Sequence, residues 1–380
     1  MSLQVTAAHG CQWICAGDDI FPAMLAAIDG ARERVLFETY IFSPGSLGQK
    51  FLEALVRAAQ RGVKVKVLID AFGSATLPWS FWGPLLAVGG EARLFNPLAL
   101  RRFGIRDHRK MLICDQNSAF VGGFNIAPEY EGDGIRVGWF DLGIHLRGGL
   151  VAPLAHSFEE MFVRAEFRHK RFLALRNYGT RKAVEGGKEQ LLLSGPGRVL
   201  NPIKRALRED LAHARKVRII AAYFLPTRRI RRDLARVARQ GGEVQLILAG
   251  KSDVPVSRLA AQSLYRRLLN AGVRIFEYQP QILHAKLIII DDIVYVGSAN
   301  LDQRSLNINY ELMARFKDGG EVDKARKLFD ERLGHCQEIT RETWKQSRGI
   351  WARLKRRLAY FLLVRIDPVI ARWQLRGLPD

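Results

Sequence analysis

His108-Arg-Lys110-Met-Leu-Ile-Cys-Asp115 returns in the second half of the chain as His284-Ala-Lys286-Leu-Ile-Ile-Ile-Asp291. Each copy joins a titratable group that can serve as nucleophile or acid, the histidine, to a fixed positive charge, the lysine. Each then runs through four apolar residues that read as a buried strand, and goes on to Gly122-Gly123-Phe-Asn125 or Gly297-Ser298-Ala-Asn300. Residues i and i+2 of a strand share a face, so His108 and Lys110 are expected to project together, as are His284 and Lys286. Asp115 and Asp291 fall at the opposite parity or past the strand end and are read as holding the hairpin, not as touching substrate. Gly123 and Ser298 permit close backbone approach, and Asn125 and Asn300 can donate to a phosphoryl oxygen. A histidine that moves protons needs a carboxylate to fix its tautomer, and Asp141 and Glu311 stand at comparable distances downstream of the two boxes. Two copies supply a nucleophile, a proton donor and two cationic clamps, which is a complete set for phosphodiester chemistry.

The duplication reaches beyond the boxes. Val35–Phe42 and Val217–Leu225 are β-branched and aromatic runs that predict buried strands. An amphipathic helix follows each, with Phe51, Leu55 and Ala58 on one apolar face and Ile230, Leu234 and Val237 on the other. Both helices end in closely similar text, Leu55-Val-Arg-Ala-Ala-Gln-Arg-Gly62 and Leu234-Ala-Arg-Val-Ala-Arg-Gln-Gly241, with glycine suited to the left-handed cap. Matched strands come next, 63–69 and 243–248, then 92–95 and 273–276. The order predicts an α/β fold of two duplicated units, each a mixed β-sheet flanked by helices, packed with pseudo-two-fold symmetry. The expected divisions are a first repeat over 1–165, a basic linker over 166–190, a second repeat over 191–340 and a basic amphipathic tail over 341–380. The first repeat alone carries Ala127-Pro-Glu-Tyr-Glu-Gly-Asp-Gly134, either a loop that touches substrate or a longer surface turn.

Composition sets the boundary conditions. The 380 residues are 48% hydrophobic and carry a net charge of +21, so the chain can bury sizeable cores and calls for polyanionic partners. Its four cysteines make no disulfide framework, and Cys11 and Cys15 form a lone C-x3-C without a second pair. No signal peptide is read at the N-terminus, and no run approaches the ~18 apolar residues of a transmembrane helix. A soluble or peripheral protein is expected. No His or carboxylate cluster has metal-ligand spacing, so neither metal nor cofactor is expected. Gly250-Lys251-Ser252 looks like the end of a phosphate-binding loop, but Gln245 occupies the place of its leading glycine.

The tail is a separate signal. Residues 341–380 hold ten Lys or Arg against three Asp or Glu, and three of the seven tryptophans. Trp351, Leu354, Leu358 and Phe361 recur at helical spacing with Arg353, Lys355, Arg356 and Arg357 interleaved, which predicts an interfacial helix on an anionic bilayer. Lying outside both repeats, it is expected to be dispensable for folding. Charge and aromatics concentrated at one end disfavour a nucleic-acid partner, which would need stacking platforms along a basic groove.

These residues resemble the phospholipase D superfamily, with its two His-x-Lys-x4-Asp boxes, and within it the bacterial cardiolipin synthases that lack N-terminal transmembrane helices. Glu38-Thr-Tyr-Ile-Phe42, Ala222-Tyr-Phe-Leu-Pro226, Gly250-Lys-Ser-Asp-Val-Pro255, Val296-Gly-Ser-Ala-Asn-Leu-Asp302 and Ser305-Leu-Asn-Ile-Asn-Tyr-Glu311 carry the likeness. It implies phosphatidyl transfer between two phosphatidylglycerol molecules through a phosphatidyl-histidine on His108, with His284 as acid and then base. It further implies that Lys110, Lys286, Asn125 and Asn300 hold the phosphoryl oxygens, and that Asp141 and Glu311 orient the histidines. The symmetry of the boxes leaves open which histidine is the nucleophile. Phosphatidylglycerol and cardiolipin would be the lipid partners, at the cytoplasmic face of the bacterial cell membrane. The alternative is a hydrolase of the same superfamily, acting on phospholipid or nucleic acid. The oligomeric state is not legible.

Overall fold

Side-chain parity decides the layering. On Met111–Cys114, Met111 and Ile113 turn one way and Leu112 and Cys114 the other, and all four are buried. Lys286–Ile290 repeats this, Leu287 and Ile289 opposing Ile288 and Ile290. A strand buried on both faces needs cover on both, so each sheet must be sandwiched. The computed structural model describes residues 10–97, 104–165, 183–196, 201–346 and 349–366.

The first sheet holds β1 (Gly10–Ile14), β2 (Arg34–Thr39), β3 (Lys64–Asp70), β4 (Glu91–Phe95), β5 (Met111–Cys114), β6 (Ser118–Gly122) and β7 (Gly143–Arg147) in the order β1-β7-β6-β5-β2-β3-β4. The second holds β8 (Ala183–Gly186), β9 (Glu189–Ser194), β10 (Lys216–Ala221), β11 (Glu243–Ala249), β12 (Arg274–Tyr278), β13 (Lys286–Ile290), β14 (Ile293–Gly297), β15 (Glu311–Phe316) and β16 (Cys336–Ile339). Its order is β16-β12-β11-β10-β13-β14-β15-β9-β8, the same seven-strand core with one strand added at each edge. In both, the crossovers through the helices Ser46–Gln60 and Arg228–Arg239 give parallel pairs, β2 with β3 and β10 with β11. The box strands run antiparallel to β2 and β10. These are the two mixed sheets flanked by helices that the sequence predicts.

The inner faces of the sheets build one shared core, in which Leu36, Val121 and Ile144 meet Ile220, Leu287 and Val296. The outer faces lie under helices, Gly17–Gly30 and Ser46–Gln60 on one side, Pro202–Ala212, Arg228–Arg239 and Pro255–Asn270 on the other. Each half thus completes the other's core.

Asp115 and Asp291 sit at left-handed turns, with φ of 56° and 47°. The Asp115 carboxylate accepts from the backbone N–H groups of Arg32, Glu33 and Arg34 at 2.8 to 3.1 Å. Asp291 accepts from Arg215 and Lys216 at 3.1 and 2.7 Å. The x4-Asp spacing is thereby explained: four strand residues, then a turn whose carboxylate ties the hairpin to the chain entering the neighbouring strand.

Two expectations need correction. The linker does not run to 190, because β8 and β9 form a hairpin at the edge of the second sheet, β9 standing where β1 stands in the first. Leu191 and Leu193 face the shared core and Leu192 the outer one, an alternation that the basic text ahead of it obscures. Residues 166–182 of that linker, and 367–380 of the tail, lie outside the described residues.

Nor is the tail independent of the fold. Trp344 is buried against Tyr265, ring centroids 5.0 Å apart, and the Arg356 guanidinium covers the Trp344 ring at 4.2 Å. Arg356 also donates to Gln262 at 3.3 Å, so it is turned inward and not toward a bilayer. The helix Ile350–Phe361 packs its Ala359 against Leu225 and Ala260. Its opposite face leaves Trp351 74% exposed, with Leu354, Leu358 and Phe361 also open.

Burial pushes the Asp115 carboxyl up, but its N–H donors outweigh that and hold it below its ordinary value. A depressed folded-state pKa adds stability above the unfolded carboxylate pKa and loses it as pH falls through the folded value. Asp115→Ala is expected to cost about 1 kcal/mol at neutral pH, the charge-assisted bonds being discounted for solvent screening. That loss should shrink below about pH 4. Urea midpoints at the two pH values check this, and equal losses at both would contradict it.

Candidate active site

Two backbone bridges carry the site. The His108 N–H donates to the Tyr310 carbonyl at 3.0 Å, and the Tyr310 N–H donates to the Arg106 carbonyl at 2.9 Å. Across the pseudo-two-fold, the His284 and Ala285 N–H groups donate to the Phe140 carbonyl at 2.7 and 3.1 Å, and the Phe140 N–H donates to Ile282 at 2.9 Å. The next residue after each bridging aromatic is a carboxylate, Glu311 or Asp141. Each carboxylate is therefore delivered to the histidine of the other half. His108 Nδ1 lies 3.1 Å from Glu311 Oε2, and His284 Nδ1 lies 2.6 Å from Asp141 Oδ2. Because of its bridge to Tyr310, the His108–Lys110 segment precedes β5 and is not part of it.

The departures between the repeats now pair off. A Cβ on Gly123 would stand 2.1 Å from Asp141 Oδ1, so the short carboxylate rests directly on a glycine. In the other half Ser298 fills that space and donates through Oγ to Glu311 Oε2 at 2.5 Å. Glycine with aspartate and serine with glutamate are two ways of filling one volume.

Electrostatics follow from burial. Burial holds His108 down at about 4 against the pull of Glu311, and it lowers His284 against the pull of Asp141. Burial likewise lowers Lys110 to about 7, with Lys286 adding repulsion, and it lowers Lys286 too. Burial raises Glu311, but the facing His108 and Lys110 and the Ser298 hydroxyl together bring it below its ordinary value. Lys110 donates to the carbonyl of His108 at 2.7 Å, and Lys286 donates to that of His284. The charged forms of both lysines, which burial disfavours, would gain from an anion placed beside them.

The histidines open on a cleft of about 420 Å³ walled by both halves. Asn125 and Asn300 line it. Asn125 gives one amide hydrogen to the Tyr130 hydroxyl at 2.7 Å, and its Oδ1 accepts from Ile41 N–H at 3.1 Å. Asn300 is buried, its Oδ1 without a partner among the described residues. Of the expected site residues, the two His–Lys pairs, both asparagines and both carboxylates come together here, whereas Asp115 and Asp291 lie at the distal turns.

Several residues escaped the sequence reading. Tyr130, from the loop peculiar to the first repeat, is buried with its hydroxyl 3.4 Å from His284 Nε2, so that loop reaches into the cleft. Tyr40 sets its ring edge to His108 at 5.0 Å, and Tyr223 does so to His284 at 6.4 Å. They stand one residue after β2 and two after β10, so the sheet register matches Tyr223 with Ile41 and not with Tyr40. Buried Arg109, inside the first box, forks onto Glu38 at 2.6 and 2.8 Å and clamps the segment bearing His108. Ala285 takes its place in the second box. Among the described residues no group of three His, Cys, Asp or Glu could hold a metal.

A family described as cardiolipin synthase, phospholipase D-like domain, matches residues 24–131 and 207–333, the cores of both halves. The chain belongs to this family. It is 33% identical to cardiolipin synthase B of Escherichia coli (strain K12), over 94% of this chain and 88% of that protein. It is 32% identical to the major cardiolipin synthase of Bacillus subtilis (strain 168), over 92% and 74% of the two lengths. Among solved structures, a phosphatidylserine synthase of Haemophilus influenzae Rd KW20 shares the fold, with a TM-score of 0.76 at 15% identity over 95% of this chain and 94% of that one.

Gly123→Ala should displace Asp141 from His284 and lower kcat about 100-fold, the scale on which lost orienting partners act. Adding Asp141→Glu to Gly123→Ser, which copies the arrangement of the other half, should restore at least tenfold of this. Steady-state kinetics of the variants decide the matter, and full activity in Gly123→Ala would contradict the account.

Proposed function

We propose that the protein is a phosphatidyltransferase that makes cardiolipin from two molecules of phosphatidylglycerol. The observation that carries this reading is the pair of buried histidines, each backed by a carboxylate from the opposite half, facing one cleft between two buried lysines. With Nδ1 held by the carboxylate, Nε2 of His108 is left for substrate, and Nε2 of His284 faces the cleft beside the Tyr130 hydroxyl and Lys286.

In the first step the neutral His108 attacks the phosphorus of phosphatidylglycerol. A P–N bond forms, the P–O bond to the headgroup glycerol breaks, and protonated His284 gives its proton to the departing oxygen. The substrate's negative charge raises the His284 pKa that burial had lowered, so binding itself prepares the acid. In the second step His284 takes the proton of a headgroup hydroxyl on a second phosphatidylglycerol. That oxygen forms the new P–O bond, the P–N bond breaks, and cardiolipin leaves with both histidines restored. Lys110 and Lys286, with Asn125 and Asn300, hold the oxygens on which charge grows. Asp141 and Glu311 steady the imidazolium forms. Water entering at the second step would yield phosphatidic acid. Trp139, Leu225 and Leu363 line the cleft and oppose water.

The protein acts at a membrane surface, in this proposal as a peripheral protein on the cytoplasmic face. No helix among the described residues is long and apolar enough to cross a bilayer. Trp351, Arg353, Lys355, Arg357 and Phe361 meet the lipid, while Arg356 anchors their helix to the protein. Deleting 341–380 would bare Tyr265 and Leu225, so point substitutions on the outer face are the cleaner probe.

Purified protein incubated with phosphatidylglycerol vesicles is expected to yield cardiolipin and glycerol by mass spectrometry. Phosphatidic acid without cardiolipin would overturn the synthase reading. His108→Ala and His284→Ala should each lower turnover at least about 1,000-fold. Because His108 must be neutral to attack and is held down at about 4, the acid limb of kcat/KM should fall near that value. An acid limb near 6.5, where a solvated imidazole titrates, would contradict this assignment.

A further inference from the structure

A second basic cavity lies away from the histidines. It measures about 890 Å³ and is walled by three helices of the second half and the tail: Arg228–Arg239, Pro255–Asn270 and Ile350–Phe361. The first contributes Arg228, Arg231, Arg232 and Arg239, the second Arg266 and Arg267, the third Arg357, and among the described residues neither Asp nor Glu lines the cavity. Among the described residues none of these seven has an ion-pair partner. The single acid of the first helix, Asp233, is taken by Arg229 and Arg236 at 3.2 and 3.9 Å. Arg228 and Arg231 also stand in the first turn of their helix, which holds no acid, where the helix dipole already disfavours positive charge. The Nε of Arg231 is buried and unpartnered, its guanidinium lying over the Tyr360 ring at 5.7 Å. Mutual repulsion and the dipole both disfavour this placement, and a bound polyanion would relieve both.

We propose that this cavity is a non-catalytic binding site for anionic phospholipid headgroups in a bilayer. Arginine forks onto phosphate oxygens in pairs, and the volume leaves room for more than one phosphate. Lipid is favoured over nucleic acid by what borders the cavity. The helix that supplies Arg357 turns the exposed row of Trp351, Leu354, Leu358 and Phe361 to solvent, an apolar strip suited to acyl chains below the headgroups. Among the described residues Tyr360 is the sole aromatic lining the cavity, and Arg231 covers it, so they offer no stacking platform for bases there. The chain following the same helix also supplies Leu363 to the wall of the catalytic cleft. A headgroup held in the arginine cavity therefore sets the cleft beside the bilayer surface. The site requires only an anionic lipid surface and stands whichever reaction the histidines perform.

Sedimentation with vesicles of phosphatidylglycerol and phosphatidylcholine, at fixed ionic strength, tests it. The variant Arg232→Ser/Arg267→Ser removes two exposed arginines, and Lys50→Ser/Lys64→Ser removes the same charge from the first half. Circular dichroism confirms that both are folded. The cavity variant is expected to lose about tenfold or more in vesicle affinity, and the control less than about twofold. Equal losses in the two variants, or no loss in either, would overturn the proposal. So would a cavity variant that keeps vesicle binding and loses affinity for single-stranded RNA, since that result assigns the cavity to nucleic acid.

Discussion

Tyr310 bridging to His108, and Phe140 to His284, is the constraint on which everything else in this molecule rests. Each bridge fixes the backbone of one histidine against the other half, and the residue that follows it brings in the carboxylate. Six ionisable side chains are buried around one cleft, and isolated burial of any of them would be strongly unfavourable. They are tolerated because they face one another across the pseudo-two-fold. Neither half completes the site alone: apart, each would hold a histidine without its partner carboxylate, and the core the halves share would be opened.

The same reciprocity explains the differences between the repeats. A symmetric ancestor could carry the same pair twice, yet here one half joins Gly123 to Asp141 and the other Ser298 to Glu311. The first box is further fixed by Arg109 on Glu38, which has no counterpart at Ala285. Tyr130 lies beside His284 from the long loop of the first repeat. The two histidines thus sit in inequivalent surroundings, which suits the two different roles proposed for them.

Much of the fold was legible because its signals are local. Strand parity, the glycine that ends each helix, and the matched order of strands all lie within short windows, and the family match spans the same halves. Residue types could suggest Asp141 and Glu311 as histidine partners. They could not show the exchange across halves, since downstream spacing is similar in both repeats and says nothing about which sheet faces which. The β8–β9 hairpin was hidden by the basic text before it. The tail read as autonomous because its helical spacing shows an apolar row but not that Trp344 and Arg356 are anchored on Tyr265 and Gln262. Tertiary contacts of single residues leave no periodic trace.

The exchange of carboxylates is the central claim, and imidazole nitrogen NMR on histidine-labelled protein reads it directly. Spectra of Asp141→Asn and Glu311→Gln would be compared with the parent across a pH titration. Asp141→Asn is expected to change the tautomer and titration of His284, and Glu311→Gln those of His108. The reverse pattern, with each substitution acting on the histidine of its own half, would contradict the exchange.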